Sequence, residues 1–193
     1  IPKIDVSTPE GAAAVLRNPA VNVRHLGFNA LKGFGAKSLP VVSEILRDAN
    51  PYVAARGVWL LPHLGEEGVN RTKALLKDAN PSLRRLAFQS LRRAGHDTLG
   101  IAADLAADTD VAVRRDVATS LHAAPADKAL PILIELARRL DVSDKNSVAA
   151  FGIGSANKQD AVWSAVKSTL AKDGAEAWSP EVERIAWLLH PAS

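Results

Sequence analysis

Apolar positions recur along this chain at a constant offset of 30 residues. Leu31, Leu61, Leu91 and Leu121 form one column, and Val23, Val53, Leu83 and Val113 a second. Gly27, Gly57, Ala87 and Val117 make a third, and Gly35, Gly65 and Gly95 a fourth that ends at Pro125. Two further columns lie upstream: Leu39, Val69, Leu99, Ala129 and Leu46, Leu76, Ala106, Leu136. Polar punctuation keeps the same register, as Asp48-Ala49-Asn50-Pro51, Asp78-Ala79-Asn80-Pro81 and Asp108-Thr109-Asp110-Val111. So many columns at one offset identify an internal repeat rather than an accident of composition.

Inside each unit the apolar spacing is helical. Leu83, Ala87, Phe88, Leu91 and Ala94 fall at i, i+4, i+5, i+8 and i+11, one stripe of a 3.6-residue helix. The preceding segment carries Val69, Leu75 and Leu76 with Lys and Arg interleaved, which predicts two helices per unit of about three turns each. Between them Asn caps the free N–H groups and Pro occupies the first turn, where its missing N–H costs nothing. Gly35, Gly65 and Gly95 are expected to end the second helices, where left-handed backbone is cheapest for Gly. Ser7-Thr8-Pro9-Glu10 reads as a capping box at the first helix. Strand-like alternation is absent over any useful length.

The expected architecture is therefore all-α, an α-α superhelix of about six hairpins in a single domain over 1–193. Its units lie near 7–36, 37–66, 67–96, 97–126, 127–156 and 157–193. The fifth has a longer first helix, Asp127 to Leu140, with Ser147 in the Val117 column. The sixth runs from Gln159 to Lys172 and, after a linker, from Ser179-Pro180 to His190. One hairpin buries too little apolar surface to fold alone, so stacking must make the core continuous.

These residues resemble HEAT repeats of the short bacterial kind. The resemblance rests on an acidic residue in the inter-helix turn, a Pro, and a hydrophobic–Arg pair opening the second helix: Asp78-Ala79-Asn80-Pro81-Ser82-Leu83-Arg84, and Asp108 through Val113-Arg114. It covers residues 7 to about 125, with a period below the roughly 40–47 residues of longer HEAT and armadillo units. The resemblance implies a HEAT-like α-solenoid whose second helices line an inner, concave wall. A second resemblance concerns the end, where Glu183-Arg184-Ile185-Ala186-Trp187-Leu188-Leu189-His190-Pro191-Ala192-Ser193 is similar to a stretch in large exported haem-binding, dehydrogenase-like proteins of planctomycetes and their relatives. That family has Arg where this chain has Leu188. It would place the array between a propeller-type dehydrogenase-like domain and a Cys-x-x-Cys-His cytochrome domain, in a periplasmic or exported setting. The start at Ile1 and the lack of Met read as a piece cut from a longer polypeptide.

Composition narrows the chemistry. Of 193 residues, 47% are hydrophobic and 23% charged, a globular balance. With no Cys, disulfide scaffolds, thiolate metal sites and thiol nucleophiles are all excluded. No apolar run approaches the ~18 residues of a membrane span, so no membrane insertion is expected. A net charge of +3 is too small to point to nucleic acid. Five His residues include no pair at helical metal-ligand spacing. Gly152-Ile153-Gly154-Ser155 lacks the strand, third Gly and Lys of a phosphate loop. Neither a catalytic residue nor a cofactor or metal is therefore expected, and the segment reads as no enzyme.

Two constellations remain. Asn18/Arg24, Asp78/Arg84 and Asp108/Arg114 keep a six-residue spacing across the turn; Asp48 has Ala54 in the Arg slot and Arg56 two positions on; Arg138/Asp144 reverses the signs. Such pairs read as a structural ladder that satisfies turn groups and neighbouring repeats. The second constellation is the polar side of the second helices, four rows of four positions, Pro62 among them, with five Lys or Arg, three His and no acidic residue. The candidate partner-binding residues there are His25, Asn29, Lys32, Trp59, His63, Arg85, Gln89, Arg92, Arg93, Arg115, Thr119 and His122, with Trp59 as aromatic anchor. The expected partner is protein, either another domain of the same chain or an acidic partner, bound by a monomer. Nucleic acid is the second choice, because tight phosphate binding recruits about 6–10 contacts.

Overall fold

The computed structural model describes residues 4–171 and 178–190, and every regular element within them is helical. The ends of two sequence features, at Lys172 and at Pro191-Ala192-Ser193, lie outside the described residues. The chain divides into two compact units, unit 1 over Ile1–Asp97 and unit 2 over Thr98–Ser193.

Unit 1 consists of three helical hairpins: α1 (Pro9–Leu16) with α2 (Val21–Phe34), α3 (Leu39–Ile45) with α4 (Pro51–Leu60), and α5 (Gly65–Leu75) with α6 (Pro81–Arg93). Unit 2 repeats the plan with α7 (Leu99–Leu105) and α8 (Val111–Ser120), α9 (Ala126–Arg138) and α10 (Lys145–Ser155), then α11 (Gln159–Leu170) and α12 (Pro180–Leu189). Turn chemistry explains where the second helices begin. Asn50 Oδ1 accepts from Tyr52 N (3.0 Å), Asn80 Oδ1 from Ser82 N (2.9 Å), and Asp110 Oδ1 from Ala112 N (2.9 Å) and Val113 N (3.0 Å). Each cap satisfies N–H groups that have no partner inside the helix.

Two of the 30-residue columns lie wholly in the core, while Val23, Leu83, Leu39, Val69 and Leu99 in the others are only half-buried. Leu31, Leu61, Leu91 and Leu121 are at most 1% exposed, and Gly27, Gly57, Ala87 and Val117 are all buried beside them. Small residues permit close approach within each unit, Gly27 of this column in unit 1 and Gly154, which lies outside it, in unit 2. A Cβ on Gly27 would stand 2.6 Å from Ala12 O and Leu16 N of α1. In unit 2 a Cβ on Gly154 of α10 would stand 2.3 Å from Ala118 O of α8.

Three local expectations need correction. The first helices α3 and α7 have seven residues, two turns rather than three. Thr8, not Ser7, is the first N-cap: its Oγ1 accepts from Gly11 N (3.1 Å), while Ser7 turns back to Asp5. Gly35 ends α2 as expected (φ 59°), but of the three glycines Gly95 alone forms the full left-handed cap (φ 85°), with Gly95 N donating to Arg92 O and His96 N to Leu91 O, both 3.1 Å. Before Gly65, α4 first tightens into a 3₁₀ turn over Leu61–His63, and Gly65 then opens α5.

Candidate functional site

The turn ladder is held mainly by backbone hydrogen bonds. Asp48, Asp78 and Asp108 each accept from the amide two residues on, Asn50, Asn80 and Asp110, at 2.8–2.9 Å. Arg84 Nη1 donates to Asp78 O (2.9 Å) and Ala79 O (3.2 Å), and Arg114 repeats this with Asp108 O (2.7 Å) and Thr109 O (3.1 Å). Guanidinium groups thus supply donors to the turn carbonyls. The hydrogen bond from Asn50 N, then the Arg17 guanidinium at 3.2 Å, holds the Asp48 carboxyl below its usual range. Arg138 pairs with Glu135 (4.0 Å), and Asp144 takes Arg115 instead (3.1 Å). The reversed Arg138/Asp144 pair expected from spacing is therefore replaced by a bridge from α8 to the cap of α10.

A groove of about 580 Å³ opens in unit 1, mostly on the second helices with Leu16 of α1 at its edge. Its apolar lining is Leu16, Val21, Phe28 and Trp59; its basic lining is Arg24, His25, Arg56, His63 and Arg93. No Asp or Glu of the described residues lines it. Trp59 is half-buried because it stands on α4 opposite the buried stripe of Val53, Gly57, Val58 and Leu60. Trp59 and Arg93 also border a second hollow of about 250 Å³, completed by Gln89 and Arg92. The two hollows form one surface across α2, α4 and α6.

Electrostatics in the groove follow from who holds each cation. Arg56 is tethered, its Nη1 donating to Leu16 O (2.7 Å) and Asn18 O (3.3 Å) at the end of the preceding first helix. Burial and the nearby Arg24 lower its pKa below the ordinary arginine value. Arg24 is itself tied to Pro19 O (3.0 Å), whereas Arg93 reaches out as an exposed side chain. His63 packs edge-on against Phe28, ring centroids 5.9 Å apart. Burial first, then the charges of Lys32 and His96, push its pKa below the usual imidazole value. Asn29 Nδ2 donates to His25 Nε2 (2.9 Å), fixing that ring at the rim.

The expected binding residues therefore separate. His25, Asn29, Trp59, His63 and Arg93 converge on the larger groove, and Gln89 and Arg92 on its extension. Lys32 is exposed, and Arg85 half-buried, outside both linings. In unit 2, Arg115 is half-buried in its bridge to Asp144, the Thr119 hydroxyl donates to Asp116 O (3.1 Å), and His122 Nδ1 lies 3.2 Å from Ile153 O. Pro62, assigned by spacing to the polar side, is buried. The periodicity alone missed Arg24, Arg56, Val21 and Phe28. Arg56 carried a signal, since it stands two positions off the ladder. Val21 carried another, an apolar residue at a helix start that is 66% exposed. Among the described residues no group of three or more His, Asp or Glu is placed to hold a metal. None of their helices is long and apolar enough to cross a membrane.

A family model described as HEAT repeats matches residues 70–154. With twelve α-helices and no strand among the described residues, the match supports a HEAT-like repeat array, and the fold class is an all-α HEAT-like solenoid. HEAT repeats are generally non-enzymatic and commonly mediate protein interactions. The match does not reach the Glu183–His190 stretch and says nothing of a dehydrogenase-like parent. No curated protein matches the chain.

Proposed function

We propose that this segment is a non-catalytic interaction module that binds a protein partner through the second-helix surface of unit 1. One observation carries the reading: a half-buried Trp59 lies in a groove bordered by several cations and by no carboxylate of the described residues. Aromatic and Arg side chains in a partly dry concavity are the groups that dominate protein–protein binding energy. On the terminal Trp-containing stretch alone, the module would space or dock domains of a larger exported redox protein. A coding sequence with a propeller before this stretch and a haem-attachment motif after it would bear that out; one with neither would remove it.

Selection from a displayed library of random peptides, run in parallel on the wild type and on Arg92→Glu/Arg93→Glu, tests the main reading. Both positions are exposed, so the variant should fold. The wild type is expected to enrich peptides that the variant does not retain. Equal enrichment by both proteins would overturn the reading. A duplex retarded at low salt, with steep loss as salt rises and no peptide enriched, would transfer the surface to nucleic acid.

A further inference from the structure

The unit 1 groove holds more information than a basic surface would need. Its volume, about 580 Å³, falls in the range of about 300–1,000 Å³ typical of sites that enclose whole organic groups. A lone inorganic anion would leave most of it filled with water. Its floor is apolar, and Val21 remains 66% exposed with Phe28 and Trp59 in the same lining. Leaving such a patch open is unfavourable unless something apolar covers it.

The cations divide into two kinds. Arg24 and Arg56 spend donors on Pro19 O, Leu16 O and Asn18 O, so they supply a fixed positive field with little freedom to move. Arg93 is exposed at the seam between the two hollows, and Arg92 lines the second hollow. Their long side chains can reach a carboxylate and grip it bidentately. The lining crosses three helices, α2, α4 and α6. At about 8–10 Å between packed helices, three helices span about 16–20 Å, which an extended chain covers in about five or six residues.

Resting on the protein-binding reading above, we propose that this groove recognises an extended acidic segment of about six residues whose one large apolar side chain seats against Val21, Phe28 and Trp59. Carboxylates on either side of that anchor meet the Arg24–Arg56 field at one end and Arg92–Arg93 at the other. Charge complementarity selects the acidic flanks, and the apolar floor selects the anchor. A single-stranded nucleic acid, which could stack on Trp59, is the competing occupant.

The probe is a fluorescein-labelled peptide of sequence Glu-Asp-Glu-Phe-Glu-Asp-Glu, titrated by fluorescence polarisation with the whole 193-residue chain. It should bind saturably. Replacing its phenylalanine with serine, or its acids with lysines, should each weaken binding at least tenfold. Arg93→Glu should weaken it at least tenfold, and Trp59→Ala by a similar factor, while Lys128→Glu in unit 2 leaves it unchanged. If Trp59→Ala lowers the melting temperature steeply, Arg93→Glu carries the test, its side chain being exposed. The proposal is overturned if the acidic peptide binds no better than its lysine counterpart or if Arg93→Glu has no effect. It is equally overturned if a ten-nucleotide oligothymidylate binds more tightly than the peptide. Should the acidic peptide fail while the library still yields Arg92- and Arg93-dependent peptides of other composition, only this inference falls and the wider reading stands.

Discussion

His63 shows how one residue's meaning changes between chain and fold. By spacing it is one of several polar positions on a second helix; in the groove it lies against Phe28, with Lys32 and His96 close enough to oppose its protonation. Arg24, Arg56 and Arg93 line the same groove and carry positive charge. Its folded pKa is depressed, so the unfolded chain binds the proton first as pH falls. The stability it contributes is fully present above the unfolded value of about 6.5 and is lost as pH drops through the lower folded value. Melting temperature should therefore decline from about pH 6.5 downward, and His63→Gln should flatten that part of the profile. Superimposable profiles would show that His63 protonates equally in both states.

Between elements, the decisive contacts are those where side chain has been removed. Gly154 brings α10 onto α8, and an added Cβ would press 2.3 Å from Ala118 O, a backbone atom that can yield only by moving the helix. Gly154→Ala is expected to lower unfolding free energy by about 1–3 kcal/mol, the usual cost of overpacking, despite the better helix propensity of Ala. A methyl group on Gly100 of α7 would meet nothing within 4 Å, so Gly100→Ala should leave stability unchanged or raise it. Urea unfolding of the two variants measures the contrast; equal midpoints would mean that α8 and α10 part without cost. The helix starts obey a more local logic. Asn50, Asn80, Asp110, Asp144 and Ser179 each cap the helix that follows. The Asn-Pro caps and the Ser179-Pro180 start were legible from sequence because capping requires only neighbours in the chain, whereas the spacing assigned Asp144 to Arg138.

For the molecule as a whole, the turn carboxylates set the acid limit. The Asn50 amide, followed by Arg17, favours the ionised form of Asp48; the Ser143 hydroxyl and amide do the same for Asp141; and the Ser147 hydroxyl, with the Asn146 amide and Arg115, does so for Asp144. All three fall below the ordinary 3.8. Their contribution is complete above about pH 4 and disappears as pH falls through the lowered values. Far-ultraviolet circular dichroism should show helix lost below that point, and Asp144→Asn should make the acid transition shallower. An unchanged transition would mean that Asp144 is held no better folded than unfolded.

The 30-residue period, the helical hairpins, the Asn-Pro caps and the two buried columns were present in the order of residues, since each depends on neighbours within about one turn or on a strict repeat. Packing alone decided the groove. Which side chains converge on it depends on how α2, α4 and α6 are rotated and spaced, and a one-dimensional register does not specify that rotation. Packing brought Arg24 and Arg56 from the ladder side to the groove, buried Pro62, and drew Arg115 into a bridge with Asp144. Repetition along a chain determines which positions are equivalent, while the differences between equivalent positions take on chemical meaning only when helices from separate repeats share one surface.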